Sequence, residues 1–67
     1  MMNNAPITEN DWRGLTLQEA KLKAESIGYT WRIVEENGKA LMLDYNNRSN
    51  RLNFRVRDGI IIGCYPG

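Results

Sequence analysis

A helix capping box constrains the fold of this chain more than any other sequence feature. Thr16 is followed three residues later by Glu19. In this arrangement the threonine hydroxyl accepts from the Glu19 N–H, and the carboxylate accepts from the Thr16 N–H. The pattern predicts one helix over Leu17–Ile27, ended by Gly28 in a left-handed conformation. The predicted apolar face of this helix consists of Leu17, Ala20, Ala24 and Ile27.

The remainder of the chain carries strand patterns separated by turn signals. The clearest strand segments are Tyr29–Glu35, Leu52–Val56 and Ile60–Cys64. Leu52–Val56 alternates apolar and polar residues, which predicts a half-buried strand with one solvated face. Asn37-Gly38 and Asp58-Gly59 are tight-turn signals. Residues 40–45 fit either a further strand or an extended loop.

The predicted fold class is α+β, with one helix packed on a small mixed β-sheet, because only a sheet can bury the helix's apolar face. The chain has 67 residues, and a domain of this size buries only about 60% of its unfolded surface. Residues 1–11 are polar and broken by Pro6, which predicts a flexible lead-in, and residues 12–67 form a single domain. The predicted core consists of Trp12, Leu15, Ile27, Trp31, Ile33, Leu52, Phe54, Val56 and Ile60–Ile62.

The residue inventory points away from catalysis. The chain has no histidine and one cysteine, so it contains no zinc-ligand set and no Ser-His-Asp triad. It also lacks a phosphate-cradling loop and a dinucleotide fingerprint. We therefore expect a non-enzymatic binding module that needs no metal and no cofactor.

The net charge and the single cysteine limit which partners and which cellular compartment we expect. The net charge of +1 disfavours nucleic acid as a partner. Cys64 has no second cysteine to pair with, so we expect a small buried core residue in a reducing compartment. The start is polar, without a signal-peptide pattern, and no apolar run is long enough for a membrane span. These features favour a cytoplasmic over a secreted protein, with a processed secreted form as the alternative.

The segment from residue 38 to residue 50 is the first candidate site. Three apolar residues precede an acidic-aromatic pair and a polar stretch. They could form a buried strand followed by a turn. Alternatively, they form an exposed loop that offers apolar side chains to a partner. The candidate loop residues are Leu41, Met42, Leu43, Asp44 and Tyr45.

An ordered set of motifs runs through residues 12–67. It comprises Trp12, Leu15, Thr16, Glu19-Ala20, Arg32-Ile33-Val34, Leu43-Asp44-Tyr45, Asn50-Arg51-Leu52-Asn53, Val56 and Gly67. This order resembles the potato inhibitor I family of serine-protease inhibitors, which includes barley chymotrypsin inhibitor, eglin and bacterial relatives. The resemblance implies two parallel strands joined by an extended loop, with the helix on the other face of the sheet.

The resemblance also implies a mechanism. The loop would enter a protease as a substrate does and be cleaved very slowly. Leu43 would fill the primary specificity pocket, with Asp44 just past the scissile bond, and its leucine side chain suits proteases of the chymotrypsin or subtilisin type. Arginines on the following strand would brace the loop, and Arg51 matches the first of these. From the residues alone, Arg51 could equally be a solvated charge.

Several departures from the family pattern weaken the predicted bracing. Asn53 stands where a second bracing arginine is expected, and Met42 stands where a threonine is usual. The polar stretch 46–49 is about two residues longer than the family spacing. Asn37-Gly38 favours a local hairpin where the family topology needs a crossover, and we adopt the crossover. A loop braced less firmly would be cut as a substrate rather than held as an inhibitor.

Two other functions remain open. Arg48, Arg55 and Arg57 could bind phosphates or a small anionic ligand, with Tyr45 or Trp31 for stacking. The simpler interpretation is a solvated strand face protected by charge. The chain could also be a self-associating module, a homo-oligomer formed through exposed strands.

Overall fold

The computed structural model describes residues 7–41, 43 and 46–67. A short 3-10 helix at Glu9–Asp11 precedes the main helix. The regular elements that follow are α1 (Leu17–Ser26), β1 (Thr30–Glu36), β2 (Lys39–Ala40), β3 (Arg51–Arg57) and β4 (Ile60–Pro66). The candidate residues Met42, Asp44 and Tyr45, together with residues 1–6 of the predicted lead-in, lie outside the described residues.

The four strands form one mixed sheet in the order β2-β1-β3-β4. The two central strands, β1 and β3, are parallel, with Thr30 opposite Arg51 and Glu36 opposite Val56. The two outer pairs are antiparallel. Helix α1 packs on one face of this sheet, which confirms the predicted α+β class. Residues 41–50 make the crossover from β2 to β3 that parallel neighbours require.

Both predicted tight turns are present. Asn37 and Gly38 have φ angles of 51° and 83°, the positive values that a two-residue hairpin turn requires at both central positions. Asp58 and Gly59 have φ angles of 51° and 78° and join β3 to β4. The expectation that a crossover replaces the first hairpin is wrong in part, because β2 forms a two-residue hairpin arm and the crossover follows it.

The capping box forms as predicted. The Glu19 N–H donates to Thr16 Oγ1 at 3.1 Å, and the Thr16 N–H donates to Glu19 Oε1 at 2.9 Å. The helix ends at Ser26, one residue before the predicted end. Ile27 already has non-helical backbone angles, so its side chain leaves the apolar face and is 48% exposed. Its assignment to the core is therefore wrong.

The core lies between α1 and the helix-facing side of the sheet. Its buried residues are Trp12, Ala20, Ala24, Leu52, Phe54, Val56, Ile61 and Cys64. Ile60 was also expected there, yet it pairs with Arg57 in the β3–β4 register and is 37% exposed. Paired residues share one face of a sheet, so Ile60 lies with Arg57 on the side away from the core.

An aromatic row spans the core. The Phe54 ring lies 6.0 Å from the Trp12 ring and 6.2 Å from the Trp31 ring, measured between centroids. Lysines of α1 lie over both tryptophans, Lys23 at 4.6 Å from the Trp12 centroid and Lys21 at 4.7 Å from the Trp31 centroid. Both tryptophans therefore serve packing, as expected for a domain with so little apolar bulk.

Residues 7–11 of the predicted lead-in contact the domain. Ile7 packs against the core, and Glu9 Oε2 accepts a hydrogen bond of 3.1 Å from the Cys64 N–H. Further along, Gly14 donates to the Ile61 carbonyl at 2.9 Å and Leu15 accepts from the Ile61 N–H at 2.8 Å. This segment covers the outer edge of β4, which removes one sheet edge on which the self-association hypothesis depends.

Strand β3 departs from the predicted half-buried pattern. Leu52, Phe54 and Val56 face the helix and are buried, as expected. On the opposite face, Arg51 is 7% exposed and Asn53 is 2% exposed, and only the far half of that face is solvated. The alternating pattern of one strand cannot predict the burial of Arg51 and Asn53, because the residues that cover them are distant in the sequence.

Candidate functional site

The connection between β2 and β3 holds the predicted loop. Its described apolar side chains are exposed, with Leu41 at 41% and Leu43 at 36%. The polar residues 46–50 that follow are all exposed. The interpretation of Leu41 and Leu43 as members of a buried strand is therefore wrong, and these two side chains are available to a partner.

Arg51 ties the end of this loop to the end of β4. Its Nη2 donates to the Asn46 main-chain oxygen at 2.7 Å and to the Gly67 main-chain oxygen at 3.0 Å. Its Nε also donates to Gly67, at 3.1 Å. The fork-shaped guanidinium suits this task, because its donors have fixed relative directions. Arg51 is thus a buried brace, and its interpretation as a solvated charge is wrong.

The main chain reinforces the same junction. The Arg48 N–H donates to the Gly67 oxygen at 3.1 Å, and the Gly67 N–H donates to the Arg51 carbonyl at 3.0 Å. At the start of β1, Thr30 donates to the Asn50 carbonyl from its N–H at 2.8 Å and from its hydroxyl at 3.2 Å. Residues 46–50 are therefore anchored to both central strands and to the end of β4.

Asn53, the second predicted support residue, has a partner that the sequence did not reveal. Arg32 on β1 pairs with Asn53 in the parallel register, and its Nε donates to Asn53 Oδ1 at 2.6 Å. Arg32 is half-buried. Its position between Trp31 and Ile33, which pack against the core, marks it as facing the other side. Only the β1–β3 register shows that this side carries Asn53.

The alternative anion site is not brought together. Arg48 lies beside Gly67 at one end of β3, whereas Arg57 ends that seven-residue strand, roughly 20 Å from its start. Arg55 lies between them and donates from Nε to Glu35 Oε1 at 2.7 Å. That bond raises the pKa of Arg55 above its ordinary value. Arg48 therefore lies apart from Arg55 and Arg57, which share the exposed half of one face of β3.

Glu35 reaches Arg55 because of an irregularity in β1. The register with β3 shifts between Ile33 and Glu35, so that Val34 is an extra residue and Glu35 pairs with Arg55. Such a bulge reverses the facing of the residues that follow. Sequence alternation alone would have placed Glu35 on the helix side, so this ion pair was missed.

Cys64 is a core thiol. It is 2% exposed, and burial, followed by the nearby Glu9 carboxylate, raises its pKa to about 11. A thiol with this pKa is protonated near neutral pH and is a poor nucleophile. The expectation of a buried core residue is confirmed.

Neither a metal-ligand cluster nor a membrane-spanning helix is found among the described residues. Within residues 7–41, 43 and 46–67, no group of three or more His, Cys, Asp or Glu side chains could hold a metal ion. In that same part of the chain, no helix has the length and apolar character needed to cross a membrane.

Comparisons of the chain with protein-family models, with curated protein sequences and with solved structures found no match. The likeness to the potato inhibitor I family therefore rests on the ordered residues given above.

Proposed function

We propose that this chain is a non-enzymatic inhibitor module for serine proteases of the subtilisin or chymotrypsin type. It presents residues 41–50 to the enzyme, with Leu43 in the primary specificity pocket and the Leu43–Asp44 bond at the catalytic serine. The observation that carries the proposal is the brace at Arg51, which donates to Asn46 and Gly67 at the end of the loop that carries the exposed Leu43.

The physical argument is preorganisation. A loop already held near its bound shape loses little conformational entropy when it binds, and this favours affinity. The brace also acts after cleavage of the Leu43–Asp44 bond. The new amino-terminal end is only two residues from Asn46, whose oxygen Arg51 holds at 2.7 Å. When the two ends made by cleavage stay close together, re-formation of the peptide bond is favoured over release of the product.

The chemistry of Leu43 defines the enzyme class. An uncharged, branched aliphatic side chain gains free energy from an apolar pocket and offers no charge to an acidic one. Proteases that select basic residues are therefore poor targets. Leu41 lies two positions earlier and is also exposed. In an extended segment it projects to the same side as Leu43, which adds a second apolar contact.

Inhibition of subtilisin and chymotrypsin by the intact chain tests the proposal. Leu43→Asp should abolish inhibition, because an unpaired carboxylate in an apolar pocket costs several kcal/mol. The matched control is Leu22→Asp on α1, whose side chain is 58% exposed, and it should inhibit as the unchanged chain does. Mass spectrometry after incubation reports cleavage. Rapid cleavage after Leu43 without inhibition, or neither cleavage nor inhibition, would refute the proposal.

A further inference from the structure

The sheet face that carries Arg51 also carries the Arg32–Asn53 pair. Arg51 and Asn53 are two residues apart on β3 and share that face, and Arg32 pairs with Asn53 from β1. We infer that Arg32 is a positioning residue for the loop and takes the role of the second bracing arginine that β3 lacks. This inference rests on the proposed function for its meaning but has its own structural test.

Two sets of hydrogen bonds, separated by the close approach of Asn53 to Gly67, lead from Arg32 to the loop. Arg32 Nε holds Asn53 Oδ1 at 2.6 Å, which fixes the orientation of the amide. The opposite end of that amide, Nδ2, lies 3.0 Å from the point where a side-chain carbon on Gly67 would stand. Gly67 in turn accepts from Arg51 and from the Arg48 N–H. Arg32 therefore acts on the loop through Asn53 and Gly67.

The burial of these groups makes the contacts matter. Asn53 is 2% exposed and Arg51 is 7% exposed, so water cannot readily replace a lost donor at either side chain. A buried acceptor left without a donor is costly, and bonds from a charged donor are the stronger class. Loss of the Arg32 donor should therefore turn or displace the Asn53 amide and loosen its neighbour Gly67.

The position of Arg32 explains how β3 can carry Asn53 where a second bracing arginine is expected. A guanidinium from the parallel neighbour donates to the Asn53 amide, whose nitrogen lies close to Gly67. The departure from the family pattern at Asn53 is then a relocation of the brace from β3 to β1. Residue 67 must remain a glycine in this arrangement, because a side chain there would press on Asn53 Nδ2.

Amide hydrogen exchange, followed by NMR without any protease, tests the inference. Arg32→Gln should speed exchange at the Arg48 and Gly67 amides by about tenfold, with the α1 amides unchanged as an internal reference. Arg32→Lys keeps a charge but lacks the guanidinium fork, so its exchange rates at Arg48 and Gly67 should lie between those of the unchanged chain and of Arg32→Gln. Arg13→Gln, an exposed arginine outside the site, should have no effect. Unchanged exchange at Arg48 and Gly67 in Arg32→Gln would overturn the inference.

A double substitution separates positioning from simple packing. If Arg32 acts through Asn53, adding Arg32→Gln to Asn53→Ala should produce no further increase in exchange at Arg48. Full additivity of the two changes would overturn the inference.

Protease incubation then distinguishes this inference from the proposed function. Arg32→Gln should be cut after Leu43 at least about tenfold faster than the unchanged chain, as expected for a lost charged hydrogen bond. If the unchanged chain inhibits but Arg32→Gln changes neither exchange nor cleavage, Arg32 has no positioning role and the inhibitor proposal stands. If the exchange rates respond but the unchanged chain does not inhibit, the positioning role stands and the inhibitor proposal fails.

Discussion

Asn37 Oδ1 accepts a hydrogen bond of 2.7 Å from the main-chain N–H of Asp58, although the two residues belong to different hairpin turns. The turns meet because β1 and β3 are parallel, which brings their carboxyl ends to the same end of the sheet. The junction of Arg51, Asn46 and Gly67 lies at the opposite end. The sheet thus has a turn end and a loop end, and only the loop end carries the candidate site.

Loss of the Arg51 brace should turn the chain into an ordinary substrate. Arg51→Ala removes the donors to Asn46 and Gly67, so subtilisin should cut it after Leu43 and release the ends. The cut fraction over time, measured by mass spectrometry, checks this. Arg13→Ala is the control at an exposed arginine. Equal cleavage rates in Arg51→Ala and in an inhibitory unchanged chain would show that Arg51 does not resist cleavage.

Thr16→Ala should destabilise the domain by about 1 kcal/mol, because it removes the acceptor for the Glu19 N–H at the start of α1. The midpoint of urea unfolding should fall accordingly. Thr16→Ser keeps the hydroxyl and is the matched control, with a midpoint close to that of the unchanged chain. If Thr16→Ala unfolds at the same urea concentration as Thr16→Ser, the cap does not contribute to stability.

The Cys64 thiol should make the domain less stable in alkali. Burial raises its pKa from 9.0 to about 11, so between these values the unfolded chain loses the thiol proton before the native chain does. Stability from this group is complete below pH 9 and falls as the pH rises. At pH 10, about midway between the two pKa values, the expected loss is about 1 kcal/mol.

Comparison with Cys64→Ala isolates the contribution of this thiol from the other effects of alkali on the domain. The difference in unfolding free energy between the unchanged chain and Cys64→Ala should narrow from pH 7 to pH 10. A difference that stays constant or widens would show that the thiol pKa is not raised by folding.

The alternative anion site, Arg48, Arg55 and Arg57, should bind nucleic acid weakly. Arg55 already forms an ion pair with Glu35. Arg48 lies at the opposite end of β3 from Arg57, so the three arginines can neutralise few phosphates together. Fluorescence anisotropy with a single-stranded oligonucleotide should show no binding at physiological salt. Glu35→Gln, which frees Arg55, should strengthen binding at low salt only. Tight binding at physiological salt that is lost in the Arg55→Ala, Arg57→Ala double variant would favour the anion-binding function.

The sequence predicted the features that depend on near neighbours. The Thr16–Glu19 cap and the Asp58-Gly59 turn involve residues no more than three positions apart, and each formed as expected. The Asn37-Gly38 turn also formed, although the family topology was preferred to it. The helix-facing residues of β3 were also predicted, because strand alternation is local. Leu43 was placed in an exposed loop on the strength of the family resemblance, and it is exposed.

The features that were missed depend on strand register and on burial by residues that are distant in the sequence. The bulge at Val34 decides that Glu35 faces Arg55, and nothing in the residues from 30 to 36 marks it. The cover over Arg51 and Asn53 comes from the loop, from β1 and from Gly67. Likewise, the Glu9 side chain accepts from the Cys64 N–H, 55 positions along the chain, which no local pattern predicts.

The parallel pairing of β1 and β3 also sets the order in which the chain can fold. The cap and the β3–β4 hairpin close over a few residues, whereas Thr30 and Arg51 are 21 positions apart. The entropy of closing that long segment must be overcome before Phe54 can meet Trp31 and complete the aromatic row. The connection that carries Leu43 therefore also sets the entropy of that closure, which loop-closure scaling puts at about 0.6 kcal/mol for each doubling of its length.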